Sequence, residues 1–173
     1  MICLDTVFEG NVSIGDGTII HPYVTIKAIN NDNDNDNDKQ SSSSSSSVLI
    51  GEKNIIEEYV TILNSNIGHG NIIQVNSVIE NSIIGNFNQI NPKVIIKGNS
   101  TIGNGCIISP GLILDGVSIP DNTAVYSYGN SKWRCAPADN SMTYPLGEAI
   151  RSTLLDPNSS QCLHKHFKER VQE

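Results

Sequence analysis

The chain has 173 residues, enough for one domain and an appendage, and a formal net charge of -7 with no basic cluster. That balance argues against a nucleic-acid partner, whose phosphates require Lys or Arg, although much of the acidity sits in one local Asn/Asp run. There is no leader-like block and no apolar run near the ~20 residues of a membrane span, so the chain reads as cytoplasmic. Cys3, Cys106, Cys135 and Cys162 are scattered, which fits a reducing compartment, and Cys106 falls at a small-residue position of the repeat, where a buried thiol is expected.

A six-residue beat runs from the first residues: Ile2, Phe8, Ile14, Ile20 and Ile26, with Thr6, Val12, Thr18 and Val24 each four residues later. Gly15 follows Ile14 at a corner that excludes a side chain or requires positive φ. The beat breaks at Asn30. Residues 31–47 carry nothing to bury and read as a disordered insertion at a coil corner, where extra length costs little closure entropy.

From Ile50 to Val125 the pattern dominates. Aliphatic-Gly or aliphatic-Pro steps recur at Ile50, Ile67, Ile84, Ile102 and Ile119, at spacings of 17, 17, 18 and 17 residues. Three short strands per turn fit this period, so residues 1–134 are an all-β solenoid. Asn54, Asn71 and Asn88 recur at one corner, where stacked carboxamides would form a polar ladder. Strand alternation turns one set of positions outward. On the second face these are Ile19, Ile55, Ile72 and Ile107, an apolar stripe that calls for a cover or a partner.

After Val125 the beat fades. Tyr126, Tyr128 and Trp133 form an aromatic exit that closes one side of the last coil, and residues 135–144 read as a connector. Leu146, Ile150 and Leu154 then line one side of a predicted short helix, and Leu163 and Phe167 line a second. Residues 135–173 are therefore expected to pack as a connector and amphipathic helices on the second face.

The Ile-Gly beat resembles the hexapeptide repeats of left-handed parallel β-helices, and the left hand comes from that resemblance alone. It reverses the usual right-handed crossover rule. The stretches Val12–Pro22, Ile50–Glu58 and Ile119–Gly129, with the tail segments Leu155–Asn158 and Leu163–Lys168, further resemble the β-helical subunits of the dynactin pointed-end complex. That resemblance implies a non-catalytic scaffold of the cytoplasm and cytoskeleton, supporting dynein-dependent transport. Its implied partners are dynactin subunit 5, a second β-helix, and the other pointed-end subunits, including the actin-related protein. No catalytic residue, metal, cofactor or small-molecule substrate follows from it.

Two enzyme classes share the repeat and form the alternative. A γ-carbonic-anhydrase-like homotrimer needs about three histidines around zinc. Here His21 and His69 fall on different faces, and His164 and His166 are two apart in the tail. A hexapeptide-repeat acyltransferase needs a general-base histidine beside an acyl-donor groove. His69 is the candidate near the centre of the repeat, but no orienting acid is evident beside it. Glu57 and Glu58 point opposite ways on an extended strand and make a poor carboxylate pair.

Overall fold

The computed structural model describes residues 1–29, 46–127 and 133–138. They form a left-handed parallel β-helix of about six turns. The first face carries Asn11–Ile14, Ser47–Ile50, Asn66–Ile67, Ile83–Ile84, Thr101–Ile102 and Ser118–Ile119. The second carries Ile19–Ile20, Ile55–Ile56, Ile72–Ile73, Gln89–Ile90, Ile107–Ile108 and Thr123–Ser127. The third carries Val7–Glu9, Thr25–Lys27, Thr61–Leu63, Val78–Glu80, Ile95–Lys97 and Ile113–Asp115.

Within each face every strand pairs in parallel with its equivalents in the neighbouring coils, so side chains stack in columns. The six-residue beat is the inward column. Ile20, Ile56, Ile73, Ile90 and Ile108 are all fully buried, as are Ile26, Ile62, Ile79, Ile96 and Leu114 on the third face. At about 1.5–3 kcal/mol per fully buried aliphatic side chain, this stack is the main stabilising term. No coil could bury its own share alone, which is why the repeat must be several turns long.

The insertion fits within one turn, because Asn11 to Ile14 pair directly with Ser47 to Ile50. The strand thus starts at Ser47, the last residue assigned above to the insertion. At the far end, Trp133–Pro137 returns antiparallel along Thr123–Ser127 and extends the second face to seven strands. Cys135 to Pro137, read above as connector, belong to that strand. An antiparallel return has no reason to keep the six-residue beat, so the repeat gave no sign of it. Trp133 packs against the last coil's core.

The two ends differ. Leu114 and Val125, in the last turn, are fully buried, whereas Ile2 and Phe8 occupy inward columns of the first turn and are about half exposed, at 51% and 41%.

Glycine at the first corner is required by close approach. A Cβ on Gly51, Gly68 or Gly85 would lie 2.6 Å from the carbonyl oxygen of the glycine one coil on. Positive φ is met two residues later, at Gly17, Lys53, Gly70, Phe87, Gly105 and Asn122. The Asn column comes next, and its ladder is present and buried. The backbone N–H of Asn54 donates to Thr18 Oγ1 (3.2 Å), that of Asn71 to Asn54 Oδ1 (2.8 Å), and that of Asn88 to Asn71 Oδ1 (2.9 Å). Cys106 N–H closes the run on Asn88 Oδ1 (2.6 Å), and its thiol is buried as expected. A second, exposed ladder runs beside it, where His69, Asn86 and Asn104 each donate a backbone N–H to the side chain one coil on.

These ladders differ in what their loss leaves behind. Asn71→Ala strands a buried Asn88 N–H and should cost about 1–3 kcal/mol. Asn86→Ala exposes the His69 N–H to water and should cost a fraction of that. Thermal melts of the two variants check the order.

Candidate active site

Where the second face turns into the third, the register of Ile20 with Ile56 sets His21 beside Glu57 and Pro22 beside Glu58. The two glutamates diverge, as adjacent residues on extended chain must. Glu57 reaches one coil on, and its Oε2 accepts the Val75 N–H at 3.1 Å. Glu58 reaches one coil back, placing Oε1 3.0 Å from His21 Nδ1.

A carboxylate only accepts, so in this contact His21 carries its proton on Nδ1 and donates it to Glu58. The neutral ring then offers Nε2 as an acceptor. This is the base-competent tautomer, held by a carboxylate. Burial alone would push Glu58 up, but the hydrogen bond from His21, the Glu58 backbone amide and the His21 charge outweigh it. The carboxyl is held below its ordinary 4.5. The His21 side chain is 20% exposed, so the ring edge remains reachable.

Two tyrosines flank the pair. The rings of Tyr23 and Tyr59 stack at 5.1 Å with planes 11° apart, each one or two residues beyond a dyad member. Both sit at positive φ, 63° and 60°, in a corner column otherwise filled by Asp5, Asn76, Lys93 and Gly111. A left-handed conformation costs a bulky residue about 1–2 kcal/mol, which the ring stack offsets in part. Cys3 precedes His21 by one coil in the same column. Burial pushes its thiol up, the Met1 ammonium opposes this, and the Glu58 charge adds to it, so the net shift keeps Cys3 protonated.

His69 is differently held. It is exposed at the first corner, and its Nδ1 accepts the Glu52 backbone N–H at 3.0 Å. The neutral ring therefore carries its proton on Nε2 and presents a donor outward. His69, the candidate weighed above for an acyltransferase base, thus presents a donor outward, whereas His21 keeps an acceptor on Nε2. The signal was present in the register: removing the insertion sets position 58 one coil from position 22, diagonal to His21.

Of the other residues singled out above, Ile19, Ile55 and Ile72 are buried on the outer side of the second face, and Ile107 is partly buried. The tail positions Leu146, Ile150, Leu154, Leu163 and Phe167 lie outside the described residues, as do His164 and His166.

The GMPPB C-terminal domain family model matches residues 39–128, a little over half of the chain. The chain belongs to that family. No curated protein matches the sequence. Among solved structures, a hexapeptide transferase family protein from Anaplasma phagocytophilum superposes with a TM-score of 0.64 at 12% identity, over 87% of this chain and 86% of that one. A putative acetyltransferase from Desulfovibrio desulfuricans gives 0.65 at 14%, over 90% of this chain and 38% of that one. LpxA, a UDP-N-acetylglucosamine acyltransferase from Bacteroides fragilis, gives 0.58 at 17%, over 95% and 75%. At these identities the likeness is one of fold: the chain has the hexapeptide-repeat transferase fold.

These findings overturn the expectation of dynactin subunit 6, a non-catalytic pointed-end scaffold. The family matched is a different one, and the fold neighbours are transferases. The physical reason lies in what carried the resemblance. Within the repeat, Ile14-Gly15 and Ile50-Gly51 meet the demands of coil contact, and Thr18 and Asn54 those of the inner ladder, while the tail segments Leu155–Asn158 and Leu163–Lys168 that also carried it lie outside the described residues.

The Glu58–His21 contact has a pH signature. With its pKa depressed, Glu58 contributes stability above about 4.5 that is lost as pH falls through its lower folded value. Glu58→Gln should flatten that acid limb by lowering the melt at neutral pH toward the value both proteins share in acid. Melting temperature against pH for both proteins checks the difference.

Proposed function

We propose that the chain is a hexapeptide-repeat acyltransferase in which His21 is the general base and Glu58 its orienting carboxylate. The observation that carries this reading is the 3.0 Å contact from His21 Nδ1 to Glu58 Oε1, which leaves Nε2 free to take a proton. The names of the fold neighbours, acetyltransferase and UDP-N-acetylglucosamine acyltransferase, support the reaction class.

In the proposed reaction an acceptor hydroxyl or amine lies against Nε2 and attacks the carbonyl carbon of an acyl thioester. Its proton passes to His21 as the new C–O or C–N bond forms. The C–S bond then breaks, and the departing thiolate recovers the proton from the imidazolium, whose charge Glu58 stabilises meanwhile. Transfer is direct. Cys3 is the thiol nearest the dyad in its column, and its protonated state disfavours an acyl-cysteine intermediate.

The test is thiol release from acetyl-coenzyme A, followed with a chromogenic disulfide across hydroxyl- and amine-bearing sugar acceptors. His21→Ala should lower kcat by about 10²–10⁴-fold, the usual contribution of a positioned base. Glu58→Gln should lower it less, and His69→Ala should leave it unchanged. Undiminished release by His21→Ala, or equal losses from His21→Ala and His69→Ala, would sink the assignment.

A further inference from the structure

A separate groove of about 210 Å³ lies at the corner where the third face turns into the first. One of the coils that line it carries an extra residue at this corner. In neighbouring coils two residues bridge this corner, as Asn64 and Ser65 do between Leu63 and Asn66, and Asn81 and Ser82 between Glu80 and Ile83. In the 18-residue coil three residues do so, Gly98, Asn99 and Ser100, between Lys97 and Thr101. Gly98 and Asn99 both adopt positive φ, at 68° and 60°, and Asn99 lines the groove.

Among the described residues the lining mixes carboxamides, hydroxyls and one isoleucine, and no Lys, Arg, His, Asp or Glu contributes to it. Asn64 and Asn66 accept the Ile29 and Leu49 backbone N–H groups through Oδ1, which turns their amide nitrogens into the free ends. Asn81 and Asn99 make no side-chain hydrogen bond among the described residues, so each offers a donor and an acceptor. Asn64, Asn81 and Asn99 recur one per coil, with Asn66 beside the first. Ile83, 55% exposed, supplies an apolar patch among them.

We infer that this groove binds a neutral oligosaccharide. Carboxamides match hydroxyl groups, which also donate and accept, and an aliphatic patch suits the C–H face of a sugar ring. The uncharged lining gives no purchase to phosphate, sulfate or carboxylate groups. Left-handed backbone at Asn64, Asn81 and Asn99, at φ of 45°, 46° and 60°, holds the row on the corner. The inference stands apart from the proposed activity: His21 and Glu58 occupy a different corner, between the second and third faces.

The experiment is a ¹H–¹⁵N titration of the full chain with cellohexaose, maltohexaose and chitohexaose, and with a heparin hexasaccharide as the charged control. Saturable shifts of the Asn81 and Asn99 side-chain amides with a neutral glycan, and none with heparin, are expected. Asn81→Asp with Asn99→Asp keeps side-chain size and left-handed tolerance, and should weaken binding about tenfold or more, equivalent to losing one or two hydrogen bonds. Asn99→Gly, which keeps the backbone conformation, should weaken it in the same direction. The inference is overturned by no saturable shift with any neutral glycan. Unchanged affinity in the variants, tighter binding of heparin, or shifts centred on His21 and Tyr59 would overturn it equally.

Discussion

Everything in this molecule depends on the registered stacking of one coil on the next. A backbone N–H of each strand meets a carbonyl of the neighbouring coil at about 2.8–3.1 Å, from Gly15 on Ile50 to Ser109 on Val125. That spacing turns the linear repeat into columns and gives each column a rule. Inward columns must be aliphatic. The first-corner column must be glycine where carbonyls approach to within a side chain's reach, and the next inner column favours a residue able to accept a backbone N–H. Much of the amino-acid choice between Ile50 and Val125 is explained before any activity is considered.

The fold was legible for that reason. A period of 17 residues with Ile at every third of a turn leaves few architectures open, and the observed columns are those implied by Ile20, Ile26 and Ile50. What was not legible follows from the same logic. The antiparallel return at Trp133–Pro137 pairs in the opposite direction and borrows nothing from the repeat. The left-handed corners were only partly foreseen. Asn and Gly announce them, but Tyr23, Lys53, Tyr59, Phe87 and Lys93 occupy equivalent sites and carry no such mark.

The site was harder to read because it forms across columns. His21 and Glu58 are 37 residues apart, a number that matches neither 17 nor 18, since the insertion lengthens the interval and the contact is diagonal. Searching for an acid near His69 along the chain therefore missed the histidine that has one. The functional reading failed for a related reason. Here the corner glycines and ladder asparagines serve the coil itself, so the part of the likeness that rested on them reports architecture. Departures from column rules are more informative. Two tyrosines in left-handed backbone, a histidine facing a carboxylate, and an extra residue at one corner are places where the coil's own demands do not explain the sequence.

The two histidines show how far a backbone can decide chemistry. Both rings engage a partner through Nδ1, yet with opposite results. At His69 the partner is a peptide N–H, which occupies the lone pair and leaves a donor pointing outward. At His21 the partner is a carboxylate, which accepts the Nδ1–H and leaves the lone pair on Nε2. Neither outcome is set by exposure or by the residue itself. Each is set by which atom the neighbouring coil places one rise away, and the insertion's containment within a single turn is what brings Glu58, one coil on, within reach of His21. Column geometry alone thus decides which ring nitrogen keeps its lone pair.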